Sequence, residues 1–484
     1  MRLQSNNQVR SQIPLWKCIF VVLVLYVLQG VTLGIADVIS LYVASNGATW
    51  KQQSALTLIM YPFSLKLLWA PLIDVLYIRQ LGRRQTWLLP IQIILGIMFI
   101  ILSFYLEQLL TQLYITNLTI IFFFIILFIA TQDICVDGWA LTLFTSSNIV
   151  WQSISQMIGQ PLGLFLGSSV LLTFESANAT NKLIRQPLGF AQQPYGLFTL
   201  AQFLRFWGIM FLITTCVVTI LFRKHHQDST NNEQQHNHSQ LNLLETYLYI
   251  IRLFKRRTFH KLLFLIMTPH FGYAATAAMT HLILLNQNIL TRETYGLITM
   301  PLILIKITVP LLLSRIDRPL VFYGQTYMPR LILGIFMALF IYFASRLQSY
   351  SIIFYSLLII LFGLSDAFTY LQGTARGAFF AYITDKRIGS TYLTFLTSLH
   401  NLGGSLSGTL VLHTVSWLPK EHAYYIAVGV CFVIGCIWLC FSWKMMYQLQ
   451  DLPVEHWHLK LHKQQDEEHG EQQYPMITAV NGRV

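Results

Sequence analysis

The sequence predicts an all-α polytopic membrane protein with twelve transmembrane helices in two six-helix halves. Of its 484 residues, 55% are hydrophobic and only 11% are charged, whereas soluble domains carry about 25% charged residues. This apolar content is enough for about 12 spans of about 20 residues each. A cytosolic enzyme, a secreted domain and a nucleic-acid-binding protein all fit the composition poorly.

Twelve apolar stretches are candidate spans. In order, they are residues 15–44, 53–77, 86–106, 115–143, 148–173, 199–222, 259–286, 294–314, 327–346, 351–383, 390–416 and 423–446. The first is too long for the core of a signal peptide, so we expect it to be retained. The six cysteines all lie within apolar stretches, which predicts no disulfide framework.

The basic residues predict how the spans are oriented. If the N-terminus is inside, the inside segments hold about 22 Lys and Arg residues and the outside segments about 7, an asymmetry that places both termini in the cytoplasm. The sequon Asn178-Ala-Thr180 between spans five and six then lies on the opposite side, where glycosylation can occur. The net charge of +12 is thus explained by membrane topology rather than by binding of nucleic acid.

The two halves of the chain resemble each other. Lys66, Asp133 and Gly159 recur as Lys306, Asp366 and Gly403 in the same order, at offsets of 240, 233 and 244 residues. Such a repeat with a long central loop is the layout of the major facilitator superfamily, whose substrate site lies between the halves. We therefore predict an N-terminal six-helix bundle at 1–222, a cytoplasmic linker at 223–258, a C-terminal six-helix bundle at 259–446 and a flexible cytoplasmic tail at 447–484.

Seven charged residues lie within or near the predicted spans: Asp37, Lys66, Asp133, Asp137, Lys306, Asp366 and Arg376. Each would cost about 2.5–3.5 kcal/mol if it faced lipid, so we expect these side chains to face one another or water. Asp133 and Asp137 are four residues apart and share a helix face. Two carboxylates this close can carry a proton or hold a cation.

Two interpretations of these charges remain open. In the first, Lys66 pairs with Asp133 or Asp137, and Lys306 or Arg376 pairs with Asp366, as struts between helices. In the second, the cations attract an anionic substrate. We predict a combination, in which carboxylates orient the cations and the cations bind the substrate. Trp69 is placed to stack on a planar group of that substrate, although such aromatic residues more often serve packing.

A basic tract follows span two. It contains Asp74, Arg79, Arg83 and Arg84, which can pair with helix ends of the other half as a cytoplasmic gate, or can serve only to orient the chain. The sequence has neither a Walker-type phosphate loop nor a recognisable catalytic arrangement. It therefore predicts no catalytic residue, no metal and no cofactor.

Several motifs resemble the acetyl-coenzyme A transporter family. They are the stretch from Tyr61 to Asp74 with Gly82, Arg83, Arg84 and Trp87; the stretch from Ala130 to Thr142, which contains Gln132, Asp133 and Asp137; Ile388–Tyr392; and Asn401-Leu-Gly-Gly404. The resemblance extends over nearly all twelve spans. The Gln-Asp-x-x-x-Asp core is also shared with bacterial muropeptide permeases.

The resemblance implies a solute carrier that moves acetyl-CoA from the cytosol into the endoplasmic reticulum lumen. It implies a multi-pass protein of the reticulum membrane that contacts membrane lipid, with homo-oligomer formation left open. The residues expected to bind acetyl-CoA or a related CoA derivative are Lys66, Trp69, Lys306, Arg376 and Asn401. Those expected to form a charge or proton-coupling network are Gln132, Asp133, Asp137 and Asp366. The alternatives are a proton-coupled permease for another anionic metabolite and a membrane acyltransferase that uses acetyl-CoA.

Overall fold

A computed structural model describes residues 14–78, 81, 84–144, 150–222, 247–248, 251–312, 316–347, 351–384, 389–419 and 421–457. Within these ranges the chain is helical and contains no strand. Ten helices there are long and apolar enough to cross a membrane. The prediction of an all-α multi-span membrane protein is therefore confirmed, while the exact count of twelve spans stays a prediction.

Eight of the predicted spans are single helices. They are span one (Leu15–Ser45), three (Gln85–Leu102), four (Ile115–Leu143), six (Leu200–Phe222), nine (Pro319–Leu347), ten (Ser351–Ile383), eleven (Gly389–Val415) and twelve (Ala423–Gln450). Span eleven is absent from the ten apolar helices because serine, threonine and glycine recur along it.

The other four predicted spans are broken into consecutive segments. Span two consists of Trp50–Leu56, Thr57–Met60, Tyr61–Leu65, Lys66–Leu68 and Ala70–Val75. Span five consists of Val150–Phe165, Leu166–Val170 and Leu171–Phe174, and span seven of Arg257–Met267, Pro269–Gly272 and Ala274–Asn286. Span eight consists of Arg292–Thr299 and Leu302–Leu312. Short helices at Leu106–Thr111, Ala177–Thr180, Asn181–Arg185 and Val454–Trp457 lie between or after the spans.

Proline accounts for the break in span seven. Pro269 cannot donate the backbone hydrogen bond that would continue the helix, and a tight turn at Pro269–Gly272 replaces it. The carbonyl of Pro269 accepts a hydrogen bond from the Tyr327 hydroxyl at 2.7 Å. A side chain of span nine therefore pairs with a backbone carbonyl exposed by the break. The break also places His270 and Tyr273 inside the bundle.

Two boundaries differ from the prediction. Span nine begins at Pro319 rather than at residue 327, because the polar residues Gln325 and Thr326 interrupt the apolar run without interrupting the helix. The expectation of a flexible tail from residue 447 is wrong for its first residues. The last span continues to Gln450, and Trp457 is buried against Phe379.

The buried apolar side chains of the described residues form three clusters. One cluster combines residues of both halves, including Ile35 of span one and Leu282 of span seven. A second belongs to the N-terminal half and contains Val22, and a third belongs to the C-terminal half and contains Phe395. The halves therefore share one core toward the end at which span one finishes, called here the outer end. They have separate cores at the inner end, where span one begins.

Hydroxyl groups join the two halves along the shared side. Thr409 of span eleven bonds to Thr57 at 2.6 Å and to Tyr61 at 3.1 Å, and Ser64 bonds to Ser405 at 3.0 Å. The Ser54 hydroxyl also donates to the backbone carbonyl of Thr409 at 3.1 Å, and the Ser169 and Thr299 hydroxyls are 2.9 Å apart. Together these contacts are called here the hydroxyl seam. Each is a neutral hydrogen bond worth about 1 kcal/mol, so the seam holds the halves together without ion pairs.

Glycine allows the closest approach between helices. A Cβ at Gly163 of span five would lie 2.1 Å from the Val27 carbonyl oxygen of span one, and a Cβ at Gly30 would lie 2.2 Å from that of Gln160. Gly403 of span eleven meets Met267 of span seven in the same way, at 2.3 Å. Corresponding spans of the two halves thus pack backbone against backbone, as small residues permit in membranes.

Candidate functional site

A buried ion pair lies inside the N-terminal half. The Lys66 ammonium is 2.5 Å from Oδ2 of Asp133, and the two side chains are only 7% and 3% exposed. Gln29 donates to the other carboxylate oxygen at 2.7 Å. Span two is broken at Lys66, which brings the lysine against span four. The predicted strut between Lys66 and Asp133 is present.

Asp137 lies one turn further along span four. Its carboxylate accepts a hydrogen bond from the Tyr26 hydroxyl at 2.5 Å, and the charge of Lys66 acts on it. Arg84 packs beside it, since a Cβ at Gly138 would lie 2.3 Å from the guanidinium carbon of Arg84. Lys66 is therefore shared by two carboxylates, of which only Asp133 forms a direct ion pair.

Gln132 and Trp69 lie near this pair but outside it. Gln132 donates to the backbone carbonyl of Leu25 at 3.3 Å, and Trp69 donates to the Thr131 hydroxyl at 3.1 Å. Both bonds tie span four to its neighbours. A role for either side chain in binding a substrate stays a prediction.

The C-terminal half contains a looser ion pair. Lys306 of span eight is 3.4 Å from Oδ2 of Asp366 on span ten, with side chains 20% and 28% exposed. The charge of Lys306 also acts on Asp37, an exposed residue of span one in the other half. The second predicted strut is thus present, and it is more open to water than the first.

Arg376 and Asn401 lie on spans ten and eleven. An N–H of Arg376 donates to Nε2 of His400, and Nδ1 of His400 lies 3.1 Å from Nε2 of His270. Arg376 forms no ion pair with a carboxylate of the described residues. Asn401 is half-buried and follows His400 on the same helix.

Sequence reasoning missed Arg330. Its guanidinium carbon lies 3.7 Å from the centre of the Tyr273 ring, and it donates to the Gln372 side-chain oxygen at 2.6 Å. Since span nine begins at Pro319, Arg330 lies eleven residues inside the helix, or about 16 Å along it. A correct helix start would have marked it as an intramembrane charge.

Most of the predicted gate lies outside the described residues. Arg79, Arg83 and the side chain of Asp74 fall there, as does most of the linker at 223–258. Arg84 is described, and it packs on span four of its own half. Its part in a gate between the halves stays a prediction.

The structure also places a charged cluster at the outer end. The Tyr42 hydroxyl donates to Glu175, and Arg292 of the other half lies 4.2 Å from the centre of the Tyr42 ring. Burial raises the pKa of the Glu175 carboxyl, and the charge of Arg292 opposes that rise. This cluster adds a charged contact between the halves to the hydroxyl seam.

The two halves carry opposite charge between their spans. Among the described side chains, the N-terminal half places two cations, Lys66 and Arg84, against three carboxylates: Asp37, Asp133 and Asp137. In the C-terminal half three cations stand against one carboxylate: Lys306, Arg330, Arg376 and Asp366. An anion placed between the halves would be attracted to the C-terminal side.

Comparisons with known proteins agree with this architecture. The sequence profile described as "Acetyl-coenzyme A transporter 1" matches residues 18–318 and 307–423. An uncharacterized protein of Schizosaccharomyces pombe is 27% identical, with 91% of this chain and 88% of that protein covered. An uncharacterized membrane protein of Saccharomyces cerevisiae is 23% identical, with 94% and 99% covered.

Solved structures of similar shape are transporters. A point mutant of the peptide transporter POT in complex with sulfate has a TM-score of 0.56 at 8% identity, covering 90% of this chain and 97% of that one. The nucleoside transporter NupG has a TM-score of 0.54 at 13% identity, covering 89% and 99%. At such low identity these matches establish the major facilitator-type fold.

Proposed function

Since this chain belongs to the acetyl-coenzyme A transporter 1 family, we propose that it carries acetyl-CoA from the cytosol into the lumen of the endoplasmic reticulum by alternating access. Family and fold make it a multi-span membrane transporter. The cargo, the direction and the organelle are the proposal, as is the predicted orientation with both termini in the cytoplasm.

The unequal charge of the two halves is the observation that carries the choice of cargo. Acetyl-CoA bears several phosphate charges, which call for lysine and arginine. Lys306 and Arg376 lie on the basic half, and Lys306 is partly open to water. We assign the phosphates to these two residues, with Asn401 beside them as a polar contact.

Lys66 contributes to the cargo site on one condition. It is buried in its pair with Asp133. It would therefore reach a phosphate only if the ion pair opened, or if the ammonium donated one of its N–H groups to the cargo. In this proposal Asp133 and Asp137 orient Lys66, and Gln132 ties span four to span one through the Leu25 carbonyl. Asp366 orients Lys306, and Trp69 holds span two against span four.

Alternating access is supported by how the halves meet. They share a core and the hydroxyl seam at the outer end and have separate cores at the inner end. If the predicted orientation is correct, this arrangement corresponds to a conformation closed toward the lumen. Opening it would break neutral hydrogen bonds and the Arg292 contact with Tyr42, and it would separate part of the shared apolar core. Cargo binding must offset this cost.

Uptake into proteoliposomes tests the function. The wild-type protein should accumulate labelled acetyl-CoA, and unlabelled CoA should compete more strongly than a muropeptide. Lys306→Gln should slow uptake, while Lys261→Gln, at an exposed lysine near the start of span seven, should leave it unchanged. Competition by the muropeptide alone would favour the permease alternative, and acetylated product in detergent without a second compartment would favour the acyltransferase.

A further inference from the structure

Arg330 and Arg376 are held by one chain of neutral hydrogen-bonding groups. A guanidinium can only donate, so Nε2 of His400 must accept from Arg376. The proton of His400 is then on Nδ1 and is donated to Nε2 of His270, 3.1 Å away. The proton of His270 is in turn on Nδ1, which donates to the Tyr273 oxygen at 3.3 Å.

Tyr273, the last member of this series of hydrogen bonds, contacts Arg330. The ring of Tyr273 lies under the Arg330 guanidinium at 3.7 Å, and Gln372 accepts from it at 2.6 Å. Both arginines are therefore fixed in orientation by neutral partners, and both retain N–H groups that these bonds do not use.

The charge of this pair is not balanced within the described ranges. No carboxylate there forms an ion pair with either arginine. The charge of Arg330 acts on Asp366, but that carboxylate is already paired with Lys306. The two guanidiniums also repel each other, and like charges enclosed in protein are costly unless an opposite charge joins them.

Two buried donors beside the arginines find no hydrogen-bond partner among the described residues. They are the side-chain nitrogen of Gln372, whose oxygen holds Arg330, and the hydroxyl of Tyr323, which lies on the same helix as Arg330 with its ring 6.4 Å from that of Tyr327. The two residues are only 2% and 6% exposed. Buried polar groups are seldom left unpaired, so these two donors are available to the acceptor oxygens of a ligand or of water.

There is room for such a ligand beside the pair. A Cβ built at Gly373 or at Gly377 would meet nothing within 4 Å, and Gly377 is exposed. These glycines are four residues apart on span ten and share one face with Asp366 and Tyr370. The face of span ten next to Arg376 is therefore open at these two glycines rather than packed against another helix.

We propose that Arg330 and Arg376 clamp a diphosphate, with Gln372 and Tyr323 donating to its remaining oxygens. A diphosphate diester carries two negative charges and four free oxygens, which matches two guanidiniums on different helices, whereas a carboxylate offers only two oxygens. Identifying this group as the diphosphate of CoA rests on the proposed function. The clamp itself does not, because inorganic pyrophosphate can probe it directly.

Binding to the purified full-length protein in detergent tests the clamp. Arg330→Gln should weaken binding of acetyl-CoA and of 3′-dephospho-CoA about 10- to 150-fold, the loss expected for one charged hydrogen bond. Acetyl-pantetheine, which lacks every phosphate, should bind wild type and variant alike. Arg205→Gln, at an exposed arginine on span six, should have no effect on any of these ligands.

A second variant distinguishes loss of binding from loss of folding. Gly377→Leu removes no polar contact but fills the open face of span ten, so it should reduce acetyl-CoA binding at an unchanged melting temperature. Wild-type affinity for acetyl-CoA in both Arg330→Gln and Gly377→Leu would overturn the clamp and leave the proposed cargo intact. A pyrophosphate-induced rise in melting temperature that Arg330→Gln abolishes, without binding of any CoA compound, would support the clamp and overturn the cargo.

Discussion

Replacing Lys66 by methionine is expected to destabilise the fold before it affects transport. The ammonium is 2.5 Å from Asp133 in surroundings that leave the two side chains 7% and 3% exposed. Removing one partner of such a pair leaves a buried charge without compensation, which costs about 3–5 kcal/mol. The ratio of folded to unfolded protein should fall by about two to nearly four powers of ten.

An exposed ion pair provides the matched control. Arg318 and Asp451 also form a direct pair, but their side chains are 52% and 60% exposed, and such pairs contribute about 0.2–1 kcal/mol. Arg318→Gln should therefore cost no more than about 1 kcal/mol. Both variants can be compared by chemical unfolding in detergent micelles, followed through tryptophan fluorescence.

A double variant separates the ion pair from its surroundings. Lys66→Met together with Asp133→Leu removes both charges, so it should cost less free energy of unfolding than either single substitution. Unfolding of Lys66→Met at the same denaturant concentration as wild type would show that Lys66 is not a buried strut.

Three further outcomes are expected. Gly163→Ala should lower stability by about 1–3 kcal/mol or more, because its Cβ would lie 2.1 Å from a backbone oxygen of span one. The control Gly408→Ala meets nothing within 4 Å and should melt like wild type. Equal melting temperatures for the two variants would contradict this. Asn178 is exposed and should acquire a glycan in microsomes that Asn178→Gln lacks; an unmodified wild type would contradict the predicted orientation. Burial raises the pKa of Glu175, so the folded protein binds this proton more tightly than the unfolded chain. Stability should therefore decline as pH rises through the raised pKa. Glu175→Gln should flatten that part of the plot of melting temperature against pH, and an unchanged plot would show that Glu175 is not responsible.

Hydropathy and charge spacing predicted the fold and part of the site. Long apolar runs give the membrane helices because a helix satisfies all the backbone polar groups of a single segment inside a bilayer. The pairs Lys66–Asp133 and Lys306–Asp366 were among the predicted struts, because an intramembrane charge needs an opposite charge nearby. Sequence reasoning could not choose Asp133 over Asp137, which depends on where the break in span two places Lys66.

The arginine pair could not be predicted in the same way. Arg330 stood three residues inside the predicted start of span nine, where it resembled a charge at a helix end. Its partners come from spans seven and ten, and His270 and His400 are 130 residues apart. Proximity of this kind follows from helix packing and from the break at Pro269, and no local motif encodes it.

The proposed transport depends most on a basic C-terminal half that holds the cargo between two moving halves. Its most direct test is the initial rate of labelled acetyl-CoA uptake into proteoliposomes by Arg376→Gln, compared with wild type and Arg205→Gln at equal amounts of folded protein. We expect Arg376→Gln to lose most of its uptake while Arg205→Gln transports like wild type. Uptake by Arg376→Gln at the wild-type rate would contradict the account.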